Sequence, residues 1–158
     1  MTSEERRALI DKIAALPLEV EEAIKGLNEA QLDTPYGPGK WTVRQVVHHL
    51  ADGHLNAFAR FKLIMTEDHP TIKPYNQDLW AELADTVATP VEPSLQIIRG
   101  VHNRWGRLLR SIPESSWSRS AHHSERGEVT LESLLAIYGE HGEKHVGQIT
   151  ALRTRQGW

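Results

Sequence analysis

The chain has 158 residues, of which 25% are charged and 39% hydrophobic, with a formal net charge of -3 and no cysteine. That length suits one domain spanning residues 1–158 with its own core. The acidic balance argues against a nucleic-acid partner, and the missing thiols exclude disulfides, thiolate ligands and a cysteine nucleophile. The first long helix is read from Leu9, Ile10, Ile13, Leu16, Val20, Ile24 and Leu27, which recur at helical spacing, with a kink or break expected at Pro17. "LDTPYGPGK" then supplies turn residues. A second helix opens at Thr42, with Gln45 completing a capping box, and carries Val43, Val46, Val47, Leu50, Ala57, Phe61 and Ile64 to about Met65. "HPTIKPYN" is a polar excursion with two prolines, followed by a short helix at "QDLWAELA". Thr89, Pro90 and Glu92 read as the cap of a third long helix through Leu95, Ile98, Trp105, Leu108, Leu109 and Ile112. After a second excursion, "PESSWSRSAHHSERGE", Thr130 caps a last helix running through Leu131, Leu134, Leu135, Tyr138, His141, His145, Ile149 and Leu152. Four long amphipathic helices and no convincing strand predict an all-α four-helix bundle, with a long loop and a short helix between helices 2 and 3.

The opening "MTSEERRALIDKI" is charged from the start and lacks a signal-peptide core. No apolar run reaches the roughly 18 residues of a membrane span. A cytoplasmic location with no membrane partner is the expectation.

The chemistry concentrates in histidine. His141 and His145 stand four apart on the last helix, hence on one face about a turn from each other. On its own such a pair is a surface feature more often than a metal grip, so a third ligand on a facing helix is required. "VVHHLADGH" on the second helix offers His48, His49 and His54. At about 100° per residue, His54 falls near the centre of the apolar face and His49 at its edge, while His48 points away toward solvent. Periodicity leaves His49 and His54 both open as the third ligand. Gly53 would leave room beside His49. Three neutral imidazoles suit zinc, nickel or another borderline divalent metal, with positions left for water. Free imidazoles titrate near about 6.5, so metal affinity is expected to fall as pH drops through that value. "HGEKH" is not the zincin pattern: Glu143 lies about 200° around the helix from His141 and cannot serve the same metal.

The segments "QLDTPYGPGKWTVRQVVHHLADGHLNAFARFKLIMTEDHPTIKPYNQDLWAELADT", "VHNRWGRLLRSI" and "TLESLLAIYGEHGEKHVGQITALR" together resemble the YfiT-like branch of the DinB superfamily. The resemblance implies a bundle with up-down-down-up helix order, a homodimer, and a metal held by His49, His141 and His145. In place of further histidines the chain has Lys144 and Gln148, which bears on metal preference. The resemblance implies a metal-dependent hydrolase acting on a small-molecule substrate. An alternative it also implies is a bacillithiol-type S-transferase, in which the metal binds a low-molecular-weight thiol as thiolate. A different class stays open, a non-catalytic metal-binding stress or interaction protein. His54 is the candidate general base, or else a buried hydrogen-bonded histidine. Arg60, Lys73, Tyr75 and Arg104 are candidates to meet an anionic substrate, and Trp41, Trp80 and Trp105 read as packing residues.

Overall fold

A computed structural model describes residues 1–158. Four long helices carry the fold: α1 (Ser3–Ile24), α3 (Val43–Thr66), α6 (Glu92–Ser111) and α7 (Leu131–Gln156). Short helices fill the connections: α2 (Glu29–Leu32), α4 (Gln77–Ala81) and α5 (Ala84–Val87). Capping boxes at Thr2, Thr42 and Thr130 start α1, α3 and α7 by pairing the orphan N–H groups of their first turns.

Hydrogen bonds between helices fix their directions. Arg6 meets Glu132 and Lys12 meets Glu143, so α1 and α7 run parallel. Asp11 meets Arg110 and Glu21 meets Arg99, so α6 runs against α1. His48 meets Ser94 and His54 meets His102, so α3 and α6 are parallel. The order is therefore up-down-down-up. Two consecutive long helices pointing the same way require the chain to climb back, and residues 67–91 make that return.

The sequence reading missed a small sheet. Strand β1 (Thr71–Ile72) lies parallel to β2 (Ser120–His123), and β2 pairs antiparallel with β3 (Gly127–Thr130). Strands this short carry too few residues for an alternating pattern to show. The sheet ties the two excursions together on one side of the bundle. Two other readings differ. The helix α1 runs unbroken through Pro17. Helix α6 begins at Glu92 after Val91, with Pro93 rather than Pro90 in its first turn. The backbone carbonyl of Thr89 is taken instead by Arg44 and His48, which hold the incoming segment against α3.

The core divides into two apolar clusters. One gathers Phe61, Trp105, Leu109, Leu131 and Leu135; the other gathers Val20, Val43, Leu50, Ile98 and Ile149. Polar histidines fill the level between them. α1 and α7 approach closely because α7 carries glycine there: a Cβ on Gly142 would sit 2.6 Å from Leu16, and one on Gly139 would sit 2.6 Å from Leu9.

Candidate metal centre

His49 on α3 and His141 and His145 on α7 converge from antiparallel helices. One ring nitrogen from each lies within 4.8 Å of the others. The Nε2 atoms of His49 and His141 are 3.2 Å apart. Two imidazoles sharing one ion at about 2.0–2.1 Å, with bond angles between octahedral and tetrahedral, place their nitrogens roughly 2.9–3.4 Å apart. The arrangement fits a metal. His145 donates its Nδ1–H to Gln148 at 2.8 Å, which leaves its Nε2 lone pair toward the cluster. Gln148, where the sequence comparison had only marked a departure, thus orients a candidate ligand.

Burial sets the charge state. It pushes His49 and His141 down to about 3, with neighbouring His145 adding to the effect. Burial also lowers His145, against the opposing bond to Gln148. All three are neutral at neutral pH, the form that ligates. The free-imidazole titration near about 6.5 expected from sequence therefore does not describe these rings inside the fold. Trp41 closes one side, its ring 4.7 Å from that of His49 and 6.3 Å from that of His145.

The cluster adjoins a cavity of about 440 Å³ lined by His49, His141, Arg60, Tyr75, His123 and Arg126, among others. Gly53 opens it. A Cβ there would lie 3.2 Å from the Tyr75 hydroxyl and 3.6 Å from the His141 ring. Arg60 is fixed by the Tyr138 hydroxyl at 2.7 Å and the Lys73 carbonyl at 2.9 Å. His123 accepts backbone N–H groups of Glu125 and Arg126 at Nδ1, so the proton of its neutral ring sits on Nε2. Tyr75 is raised to about 12, chiefly by burial, and stays a hydroxyl. Arg60, Tyr75, His123 and Arg126 bring hydrogen-bond donors to the cavity, beside the carboxylate of Glu125.

Other candidates stand elsewhere. His54 is 1% exposed and sits behind His141, with Nδ1 2.9 Å from His102 Nε2 and Nε2 3.0 Å from His141 Nδ1. His48 does point away from the cluster, but not to solvent. It is 5% exposed, held by Ser94 Oγ at 2.7 Å and the Thr89 carbonyl at 3.0 Å, because residues 67–91 fold over that face. Arg104 lies over Phe58 and does not line the cavity. Glu143 bonds Lys12 on α1, away from the histidines. Trp105 is core, Trp80 packs on Tyr75, and Trp41 alone of the three touches the cluster. Sequence reasoning missed His102, His123, Arg126 and Asp52. Asp52, next to Gly53, is raised to about 6 by burial and by Asp85. A carboxyl one turn after His49 was its only sequence signal.

An up-down-down-up bundle with three neutral imidazoles, two buried and one half-buried, beside an open cavity defines a class of helical protein able to hold one metal ion at its side. The chain belongs to the DinB superfamily, whose family model matches residues 14–149. Over 149 residues it is 48% identical to a Bacillus mycoides protein described as a candidate metal-dependent hydrolase, spanning 94% of this chain and 86% of that one. A Bacillus cereus protein with the same description is 47% identical over the same shares. The structure of YfiT from Bacillus subtilis, described as a candidate metal-dependent hydrolase with an unusual four-helix bundle topology, aligns with a TM-score of 0.96. That alignment covers 100% of this chain and 91% of YfiT at 39% identity.

Proposed function

We propose that this chain is a metal-dependent hydrolase whose metal is held by His49, His141 and His145. The observation that carries the reading is the convergence of three ligand atoms within 4.8 Å beside a cavity of about 440 Å³. Three protein ligands leave positions for water or substrate, and neutral imidazoles favour zinc or nickel. An ion held there supplies a Lewis acid that activates water and polarises a substrate oxygen. The chain's own residues do the rest. Arg60, His123 and Tyr75 present donors to the cavity, which suits a small molecule whose acceptor oxygens are to be held and oriented. Trp41 limits water on the far side of the ligand rings.

The test is a screen of ester, amide and phosphoester hydrolysis by zinc- and nickel-loaded protein, run beside conjugation of small thiols to electrophiles. Hydrolysis that needs metal and is lost in His141→Ala supports the reading. Thiol conjugation without hydrolysis would replace it with transfer chemistry. Full metal occupancy with neither activity would make the protein a metal-binding module without catalysis.

We also propose that the chain forms a homodimer through α4 and α5. Leu79 on α4, Leu83 at the junction and Val87 at the end of α5 are 59%, 53% and 46% exposed, three large apolar side chains left in water along one short stretch.

A further inference from the structure

Pro17 sits inside α1 and has no N–H to give to the carbonyl of Ile13, four residues earlier. Ile13 is buried, and an unmatched buried carbonyl costs about 1–3 kcal/mol. His102 reaches over from α6 and places its Nδ1 2.5 Å from that oxygen. A carbonyl oxygen can only accept. The proton therefore sits on His102 Nδ1, and the Nε2 of the neutral ring is bare.

The same reasoning then runs outward. His102 Nε2 accepts from His54 Nδ1 at 2.9 Å, so His54 carries its proton on Nδ1 and its Nε2 is bare. His54 Nε2 accepts from His141 Nδ1 at 3.0 Å, so His141 carries its proton on Nδ1. What remains on His141 is the Nε2 lone pair, facing His49. With neutral rings the chain of bonds has one solution, because the carbonyl at its inner end cannot donate. Burial favours the uncharged ring, and His54 and His102 are 1% and 2% exposed. Each of the four long helices contributes one link.

We infer that the Ile13 carbonyl freed by Pro17, together with His102 and His54, forms a positioning relay that holds His141 in the one tautomer able to ligate through Nε2. The inference rests on the reading of His141 as a metal ligand, though not on the hydrolase activity. A ligating histidine normally fixes its second nitrogen on a carboxylate, carbonyl or water. Here that partner is a second imidazole, itself fixed by a third.

The test uses the full chain with 15N-labelled histidine, metal-free, at neutral pH, read by long-range 1H–15N correlation. The expected result is an Nδ1–H tautomer for His102, His54 and His141. An Nε2–H tautomer at any of the three overturns the relay. His102→Phe keeps a ring in place but offers His54 no acceptor. His141 should then populate both tautomers, and zinc affinity by chelator competition should fall by about 10–100-fold. An unchanged His141 tautomer with unchanged zinc affinity would overturn the inference. Should that variant not fold, the wild-type tautomers still decide. Pro17→Ala, which restores a competing N–H, adds a second readout: the His102 Nδ1 proton should shift as its bond weakens, and a fixed resonance would remove Pro17 from the relay. A wild type that takes up no zinc overturns the metal reading while the tautomers still decide the relay, whereas zinc uptake without hydrolysis removes only the enzyme.

Discussion

At the scale of single residues, the histidines differ in what they hold. His49→Ala, His141→Ala and His145→Ala should each lose most bound zinc, measured by metal analysis of the folded protein. His48→Ala should keep it. That substitution strips Ser94 Oγ of its partner and leaves the Thr89 carbonyl to Arg44 alone, so it should cost about 1–3 kcal/mol in denaturant unfolding without emptying the site. Full occupancy in all three ligand variants would contradict the assignment. Acid should act on the same residues. In the unfolded chain an imidazole gains its proton near about 6.5. In the folded chain His102 resists until about 4, and His49 and His141 until about 3. Between these values the unfolded state binds more protons, so the stabilisation is complete above about 6.5 and is lost as pH falls toward the folded values. The melting temperature of metal-free protein should drop steeply from pH 6.5 to 4, and a flat profile there would refute the buried neutral rings. Any stability added by metal should vanish with the fold rather than at the titration of a free imidazole.

Helices and strands account for which parts of the molecule could be read in advance. The long elements announced themselves, since Val43 to Ile64 and Leu131 to Leu152 repeat at helical spacing, and Thr42 and Thr130 cap as their side chains suggest. The pair His141 and His145 followed from the helix period alone. Periodicity could not separate His49 from His54, because both lie on the inner side of α3: one meets the cavity, and the other backs it. The resemblance drawn from the motifs, not the helix period, singled out His49. His102 was invisible because its function depends on a carbonyl of α1, a partner no side-chain pattern records. The sheet was equally hidden, since pairing between residues 71 and 122 is a tertiary fact. Glycine at the α1–α7 contact gives a test at this scale. Gly142→Ala would push a methyl to 2.6 Å from Leu16 in a packed seam. It should destabilise by about 1–3 kcal/mol in denaturant unfolding and weaken zinc binding, because α7 must shift with both of its candidate ligands. A variant with unchanged stability and unchanged zinc affinity would show that the seam has slack.

For the molecule as a whole, the question is what covers the outer side of residues 67–91. Ile72 of that segment is buried in the small sheet, while Leu79, Leu83 and Val87 stand in water. A second copy of the chain is the proposed cover. Light scattering at micromolar concentration should give twice the chain mass, and Leu79→Glu with Leu83→Glu should return it to a monomer with the bundle intact. A monomeric mass for the wild type would refute the pairing. No helix is long and apolar enough to cross a membrane, so that surface is not read as part of a span.

The up-down-down-up order also has a consequence in time. His49 and His141 are separated by 92 positions in the chain, and they meet only when α7 docks antiparallel to α3. Bringing such distant segments together is entropically costly and comes late compared with local helix formation. During synthesis, the ribosome has made α1, α3, α6, β2 and β3 before the second and third proposed ligands exist. Until then His49 is the sole member of the proposed ligand set, and a single imidazole is a poor competitor for an ion. On the proposed reading, metal capture is thereby postponed to the final act of folding, and a chain that stalls or is truncated early would stay empty.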